Sequence, residues 1–436
     1  MGAKEQIAGF ESRVREYTNF AVRGVKRVCK ECGPRETASE AERKAQKIMA
    51  KELESCCESV QLEPFHVAPR AFLGWVNPSV YIGIGAVALF HFGYALASMI
   101  LLALVLTAAV LEFLFYKQAL DVFYPKKLSQ NVVAVRKPAG EVKRRIIFCG
   151  HADSAPEWIY TFLGDKYLHN ASLTAIVMAV CFGAIFFALV VSLLSVAIEA
   201  THGLGGTASL EFRAGWLRLL GYIAAGLCLP LLAGLRFKNY RRFVDGANDN
   251  LSGCFTAMAI PKLLGDLDLR LQNTELVTLC SGGEEAGLRG AKAFAKAHAN
   301  AYKDVETVFV ALDTIRDYDH MGIYVTDMTN TVRLDPAVAH LMKQGAKNAG
   351  YEIPFQNCFF GSSDAAAAAQ AGIRAATFAA MNPAPAAYYH TRLDTANNLD
   401  PKTVEATLQI LLETVYLYDE TGLAPQEGKP AAKGKN

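Results

Sequence analysis

Residues 275–291 read ELVTLCSGGEEAGLRGA, and in them an apolar run gives way abruptly to glycines and charged residues. A run that favours β-structure ends in two glycines, and the neighbouring carboxylates Glu284 and Glu285 follow at once. The Ala-rich stretch after them has helical character. Adjacent like charges repel and raise each other's pKa, so a surface turn would gain nothing from keeping both. The stretch therefore predicts a strand, a functional turn and a helix in succession.

Strand and helix patterns alternate outward from this stretch in both directions. Strand-like runs occur at 131–135, 144–150, 307–313 and 375–381, and helical patterns begin near Ser252, Asp335 and Pro401. A further helix is predicted over 37–55, with Thr37 and Glu40 at the spacing of a capping box. This alternation predicts an α/β three-layer sandwich with a mixed, mainly parallel central sheet.

Long apolar segments indicate that part of the protein lies in lipid. Hydrophobic residues make up 52% of the 436 residues, and the mean hydropathy is +0.17. The segment 75–115 has Glu112 as its only formal charge and is about twice the roughly 20 residues that one spanning helix needs. It predicts a hairpin that turns near His91 to Tyr94. The segments 171–198 and 216–235, joined by a Gly-rich loop, predict a second hairpin. Buried core helices are the disfavoured alternative, because segments this long have no polar face.

Charges beside the four predicted transmembrane helices give their orientation. Basic residues lie on the sides that join the rest of the chain: Arg70, Lys117, Lys126, Lys127, Lys166, Arg236, Lys238, Arg241 and Arg242. The positive-inside rule therefore predicts a multi-pass integral membrane protein with everything outside the hairpins in the cytoplasm. The expected organisation is a discontinuous domain at 1–72, 118–168 and 238–422, transmembrane hairpins at 73–117 and 169–237, and a disordered tail at 423–436. The formal net charge of +2 gives no support for nucleic-acid binding.

Side chains that bind metals follow several predicted strands. His151 and Asp153 follow the run 144–150, Glu284 and Glu285 follow the opening strand, and Asp313 ends the run 307–313. In open α/β sheets, ligands collect outside the carboxyl ends of strands, so these groups should meet in one crevice. Asp249, in a turn before a helix, and His390, after a Pro/Ala-rich loop, add a carboxylate and an imidazole. Taken alone, an Asp before a helix is more often a helix cap. Together they form a ligand set suited to zinc.

In chain order, the blocks HAD, GANDNLSG, GGEEAGLRGA, ALD and YHTRLDT resemble the metal-site blocks of the M28 metallopeptidases, the co-catalytic di-zinc aminopeptidases. The resemblance implies a zinc-aminopeptidase-like fold, with two Zn²⁺ ions and a peptide substrate. It also implies a role for each residue. Asp249 would bridge both metals, Glu285 and His390 would complete one site, and His151 and Asp313 the other.

The resemblance assigns Glu284 as the general base, which accounts for the adjacent carboxylates. In this family a water between two metals about 3.5 to 4 Å apart attacks the peptide carbonyl, and a carboxylate outside the ligand set transfers its proton. Asp153 would orient His151. Asp394 is expected to orient the His390 end or to cap a helix before Asn397. Manganese or cobalt could occupy such a site in place of zinc.

The chain departs from the family pattern at several places. Asp364, in the family's Ser-Asp segment, is followed by five alanines, which predicts a roomier substrate pocket or a flatter pocket wall. No tyrosine precedes it to support an oxyanion, so Tyr388 and Tyr389 are the candidates for that role. Soluble family members lack the hairpins. Since His151 and Asp249 bracket the second one, we expect the crevice near the bilayer and substrates that are peptides at the membrane.

Other functions stay open on the sequence alone. The same metal centre would serve carboxypeptidase or glutaminyl-cyclase-like chemistry. A catalytically inactive scaffold is a further alternative, although the ligand set and Glu284 are intact. A transport function is disfavoured, because the middle of the predicted hairpins offers only His91 as an ionisable side chain. The sequence gives no oligomeric state.

Overall fold

The computed structural model describes residues 2–170, 172–201, 215–384 and 386–423. Within them the strands are β1 Ser59–Val67, β2 Lys127–Arg136, β3 Arg144–His151, β4 Pro156–Trp158, β5 Lys238–Phe243, β6 Thr274–Ser281, β7 Glu306–Ile315, β8 Met321–Asp327, β9 Val332–Arg333, β10 Phe355–Asn357 and β11 Arg374–Ala380. The main helices outside the hairpins are Phe10–Cys32, Glu40–Leu53, Ile159–Leu168, Ser252–Asp266, Arg289–His298, Pro336–Ala349, Asp364–Gln370 and Pro401–Thr421.

One mixed sheet dominates the described part of the chain. Its order is β1-β2-β6-β3-β7-β11-β8-β10, with β9 paired to β8. The central strands β6, β3, β7 and β11 run parallel, whereas β2 pairs antiparallel with β1 and β6, and β8 antiparallel with β11. The expected mixed sheet with a parallel centre is therefore confirmed.

Helices cover both faces of the sheet because its strands are apolar on both sides. In β3, Ile146 and Phe148 belong to one buried cluster, and Ile147 and Cys149 belong to the opposite one. This period of two matches the pleat of a strand. The larger cluster holds the long helices, among them Phe10–Cys32, which the sequence analysis did not predict.

The predicted helix 37–55 begins later than expected. It spans Glu40–Leu53, and its N-cap is Ser39, whose side chain accepts from the Glu42 amide. Thr37 is not the cap: its hydroxyl donates to Asp153 Oδ2 at 2.7 Å. The Thr37 hydroxyl is not available as a cap because it is bound to the buried carboxylate of Asp153, so Ser39 caps the helix in its place.

In the described part of the chain, four helices are long and apolar enough to cross a membrane. They are span 1 Ala71–His91, span 2 Ala95–Leu114, span 3 Leu173–Thr201 and span 4 Gly215–Arg236. The first hairpin turns between His91 and Ala95, as predicted. Most of the exposed large apolar side chains lie on these helices, as in Leu104 and Leu229. The predicted loop between spans 3 and 4 lies almost wholly outside the described residues, as does the tail after Leu423.

Both hairpins leave the sheet on the side where the carboxyl ends of the central strands lie. The first lies between β1 and β2, and Val67 at the end of β1 pairs with Lys127 at the start of β2. Since β2 is antiparallel to β6, this end of β2 lies at the carboxyl end of β6. The second hairpin follows β3 and is flanked by β4 and β5, which form a separate two-stranded sheet. The hairpins and the predicted metal ligands therefore share one edge.

Candidate metal centre

The carboxyl ends of three neighbouring strands converge on one buried cavity. His151 is the last residue of β3, Glu284 and Glu285 follow β6 by a short turn, and Asp313 lies near the end of β7. All four side chains line the cavity. His151 Nε2 lies 3.7 Å from Glu284 Oε2. The expected convergence at the sheet edge is thus present in the structure.

Asp249 lies between the two histidines. Its Oδ1 is 3.1 Å from His151 Nε2, and its Oδ2 is 3.1 Å from His390 Nε2. His390 Nε2 is also 3.4 Å from Glu285 Oε1. Although burial acts to raise the pKa of Asp249, the hydrogen bonds of the two imidazoles lower it below the usual range. One carboxylate thus presents one oxygen to each histidine.

The buried side chains fit a metal. Ligand atoms of His151, Asp249 and Glu285 all lie within 4.8 Å of one another. Glu285 Oε1 is buried and has no hydrogen-bond partner among the described residues. Burial, followed by the charge of Asp249, raises the pKa of Glu285, and in the same way raises that of Asp313 to about 7. Imidazole nitrogens and carboxylate oxygens that converge in this way are the donor set that zinc takes.

Asp153 supports the Glu284–Glu285 turn directly. Its Oδ1 accepts from the Glu284 amide at 3.1 Å, and its Oδ2 accepts from the Glu285 amide at 3.2 Å. The expected contact with His151 is longer, 3.6 Å between Oδ1 and Nδ1, beyond a normal hydrogen bond. In this structure Asp153 therefore fixes the two glutamates more firmly than it fixes the imidazole.

Asp394 holds the Asp249 loop, which corrects both expectations for it. Its Oδ1 accepts from the backbone and side-chain nitrogens of Asn248 at 2.8 and 2.7 Å, and its Oδ2 accepts from the Asp249 amide at 3.1 Å. Among the described residues it makes no hydrogen bond to the His390 ring and caps no helix, since the next helix begins at Pro401 with Asp400 as its cap. The expectation failed because chain neighbours were assumed to be spatial partners.

Glu42 and Arg289 support the Glu284–Glu285 turn, and the sequence analysis missed both. Glu42 is fully buried, and its Oε1 accepts from the Gly283 amide at 3.0 Å. Arg289 is also buried, and its amide donates to the Gly283 carbonyl at 2.9 Å. Gly283 has φ +63°, a conformation that favours glycine. A charged residue inside the GGEEAGLRGA block was the available signal for Arg289.

Aromatic rings enclose His390. Tyr389 stacks on it with ring centroids 4.0 Å apart, and Trp158 meets it edge-on at 4.5 Å. Tyr389 lines the cavity. Tyr388 does not, because its hydroxyl donates to Asp317 at 2.9 Å and both residues line a different cavity. Of the two tyrosine candidates, only Tyr389 is therefore placed to meet a substrate. Trp158 was missed, although tryptophan is rare in this chain and this one follows the HAD block closely.

Asp364 lies beneath the site and does not line the cavity. Its Oδ2 accepts from the Ser281 hydroxyl at 2.5 Å and lies 3.3 Å from Cys149 Sγ, so it braces the ends of β6 and β3. The alanines after it are buried in the helix Asp364–Gln370. Two of them share a cluster with Phe72 and Tyr116 of the first hairpin. The expected roomier pocket is wrong here, because the alanines lie in the core against hairpin aromatics.

Two cavities surround the ligands. The one at the metal ligands has a volume of about 50 Å³ and contains Glu284. Its neighbour, of about 310 Å³, shares Trp158, Asp313 and Tyr389 with it and extends to Asp327. No Lys or Arg is among the described residues that line either cavity. The reaction space is therefore acidic and aromatic.

Residues 236–415 match the sequence model of peptidase family M28, and they include Asp249, Glu284, Glu285, Asp313 and His390. No curated protein matches the chain significantly. Over these residues the chain is similar to a family of zinc metallopeptidases, which confirms the expected resemblance to M28.

Solved structures with the same fold include aminopeptidases and glutaminyl cyclases. The aminopeptidase from Aneurinibacillus sp. strain AM-1 is 14% identical, with a TM-score of 0.53 over 93% of this chain and 95% of that one. BSAP, a zinc aminopeptidase from Bacillus subtilis, is 14% identical, with a TM-score of 0.52 over 92% and 94%. The Porphyromonas gingivalis glutaminyl cyclase is 13% identical, with a TM-score of 0.51 over 91% and 97%. At such identities these likenesses show the fold alone.

Proposed function

We propose that the protein is a membrane-anchored aminopeptidase with two metal sites, which removes N-terminal residues from peptides. The carrying observation is the placement of Asp249, with one oxygen facing His151 and the other facing His390. Glu285 beside His390 and Asp313 in the same cavity supply one further carboxylate to each site. This division matches the roles that the family resemblance implies.

Glu284 is proposed as the group that moves the proton. When bound, the metal ions supply Lewis acidity, which polarises the substrate carbonyl and lowers the pKa of water. Glu284 Oε2 lies 3.7 Å from His151 Nε2, beside the proposed ligands but outside their set. Asp153 fixes its backbone, so its carboxylate stays aimed into the cavity. There it takes a proton from the attacking water and gives it to the departing amine.

The charges of the cavities favour an aminopeptidase over a carboxypeptidase. A substrate's terminal carboxylate would need a cationic partner, most often a bidentate arginine. The described lining of both cavities offers no Lys or Arg, whereas it offers Glu284, Asp313 and Asp327. These carboxylates suit an α-ammonium group. Glutaminyl-cyclase-like chemistry also uses a free amine and is therefore the second candidate, supported by the shared fold.

Membrane anchoring rests on the four spans and their exposed apolar surface. The positive-inside pattern supports a cytoplasmic peptidase domain, and the domain boundaries remain those predicted from the sequence. Since both hairpins leave the sheet at the edge that carries the ligands, the cavity faces the bilayer. The proposed substrates are therefore peptides at, or partly inserted in, the membrane.

The test is metal analysis and turnover of detergent-purified protein. We expect about two zinc ions per chain and hydrolysis of aminoacyl reporter amides, but not of their N-acetylated forms. Glu284→Gln should keep the metal and lose activity by at least two orders of magnitude. The matched control is Glu54→Gln, at an exposed position remote from the cavity.

Three alternative results would contradict the proposal. Release of pyroglutamate from N-terminal glutamine, without hydrolysis of other amides, would establish the cyclase. Preference for blocked amines and free carboxylates would establish a carboxypeptidase. A protein that binds no metal and turns over no substrate would be a scaffold.

A further inference from the structure

The first hairpin builds one wall of the cavity that holds Glu284. Phe72 and Leu73 at the start of span 1, and Phe113 and Tyr116 at the end of span 2 or just beyond it, all line this cavity. The rings of Phe72 and Tyr116 lie 4.7 Å apart, and those of Phe72 and Phe113 lie 6.1 Å apart. A membrane segment inserted into the domain thus shapes the reaction space.

Two of these side chains also line a cavity inside the bundle of spans. Leu73 and Phe113, here called the partition, separate the metal-site cavity from this second space of about 50 Å³, here called the membrane cavity. Spans 1, 3 and 4 supply most of its remaining walls, for example through Trp75, Val80 and Phe182. The described lining contains no charged residue.

The membrane cavity lies in the half of the bundle nearest the peptidase domain. Trp75 and Phe182 lie four and nine residues into spans 1 and 3, counted from Ala71 and Leu173. At the 1.5 Å rise of an α-helix, this puts them about 6 and 14 Å along the helices. The hydrocarbon core is about 30 Å thick, so the cavity lies within one leaflet.

The two spaces differ in chemistry. The metal-site cavity is acidic, whereas the described lining of the membrane cavity offers no counter-charge. Moving an ionised group from water into the membrane cavity would therefore cost an uncompensated desolvation free energy. An apolar side chain gains on the order of ten- to a hundredfold in affinity from such burial. Phosphate headgroups find no cation in its described lining.

We propose that the membrane cavity is a specificity subsite that takes an apolar side chain of a peptide substrate lying partly in the bilayer. The inference rests on the proposed function and names what selects its substrates. The scissile bond of the peptide lies among Glu284 and the proposed ligands. Its apolar side chain extends past Leu73 and Phe113, the partition, into the membrane cavity. The uncharged lining and the shared partition argue for a peptide side chain as the occupant rather than a lipid headgroup.

Trp75 lines the membrane cavity and provides a readout independent of catalysis. The experiment uses the full chain in lipid nanodiscs and a peptide with a reduced scissile bond and one small brominated aliphatic side chain, because a cavity of about 50 Å³ is too small for an aromatic ring. We expect saturable quenching of tryptophan emission that Trp75→Phe largely removes. The same peptide with glutamine in place of the brominated residue should bind at least tenfold more weakly.

Filling the cavity should weaken this binding about tenfold. Val80→Phe fills it from span 1, and Ser79→Leu does so more mildly where Val80→Phe fails to fold. The matched control is Leu104→Phe, on the exposed face of span 2 at 60% exposure, which should leave binding unchanged.

Several outcomes would overturn the subsite. They are a peptide that binds without quenching Trp75, equal binding by Val80→Phe and Leu104→Phe, or quenching by brominated lipid that the peptide does not displace. Turnover of hydrophilic reporter amides, measured separately, distinguishes the failures. Turnover without Trp75 quenching overturns the subsite alone, and saturable quenching without any turnover overturns the proposed function alone.

Discussion

Arg289 Nη2 lies 2.7 Å from Asp121 Oδ1, so an ion pair joins the helix after the Glu284–Glu285 turn to the segment that leaves the first hairpin. The guanidinium is also 3.6 Å from Glu112 Oε2 at the end of span 2. Arg289 and Glu112 are almost fully buried. The first hairpin is therefore tied to the turn that carries the proposed base.

Removing this cation should destabilise the protein and disturb the turn. Arg289→Met leaves the buried Glu112 without its partner, which typically costs about 3 kcal/mol. We expect that loss in denaturant unfolding, together with lower activity at saturating zinc. Arg27→Met breaks surface pairs with Glu31 and Glu52 and should cost less than about 1 kcal/mol. Equal losses in the two variants would contradict the tie.

Asp394→Asn should weaken metal binding. The carboxylate accepts three hydrogen bonds that fix the Asn248–Asp249 backbone, and an amide can accept on only one of its two atoms. Loss of such supporting contacts typically costs 10- to 100-fold in metal affinity. Competition with a chromophoric chelator measures it.

The matched control for Asp394→Asn is Asp400→Asn. Asp400 caps the last helix and contacts no proposed ligand among the described residues. It should lose up to about 1 kcal/mol of stability and keep its zinc affinity. Unchanged affinity in Asp394→Asn would show that the Asp249 loop holds itself.

Metal removal should be visible in tryptophan fluorescence. The Trp158 ring lies 4.5 Å from the His390 ring, and its amide donates to the His390 carbonyl at 2.8 Å. Chelation should therefore change the emission, and added zinc should restore it with saturation near two equivalents. Trp158→Phe should lose the signal while Trp216→Phe, at an exposed position in span 4, keeps it. Saturation at one equivalent would contradict two sites.

Lys292 should make stability depend on pH. Burial, and then the charge of Arg289, lowers the pKa of Lys292 to about 7, from an unfolded value near 10.5. Between these values the unfolded chain binds the proton and the folded chain does not. Stability should therefore rise as pH increases from about 7 to about 10. Lys292→Met should flatten this part of the pH profile of the unfolding midpoint, and a parallel profile would show that the lysine stays charged.

The sequence predicted what depends on short periodic patterns. The runs 144–150 and 307–313 formed the predicted strands, because consecutive residues such as Ile146 and Ile147 pack into cores on opposite faces of the sheet. The crevice followed, since parallel strands end at one edge. The helix Phe10–Cys32 carried a helical period in Val14, Ala21, Val25 and other buried positions, yet it holds no chemical motif and went unnoticed.

Contacts between distant segments were beyond a reading of one sequence. Asp394 was assigned by its closeness to His390 in the chain, whereas its partners lie 145 and 146 residues away. The alanines after Asp364 implied space, which the core around Phe72 and Tyr116 removes. Only the fold shows that aromatic side chains of the first hairpin pack against these alanines.

The position of the second hairpin also bears on the order in which the protein is made. His151 is synthesised before spans 3 and 4, whereas Asp249, Glu285, Asp313 and His390 follow them. In the proposed arrangement, the nascent chain cannot assemble its ligands until both apolar helices have entered the bilayer and returned the ribosome-attached segment to the same side. On this proposal, insertion of spans 3 and 4 precedes assembly of the ligand set, so a chain that fails to insert would not complete its metal site.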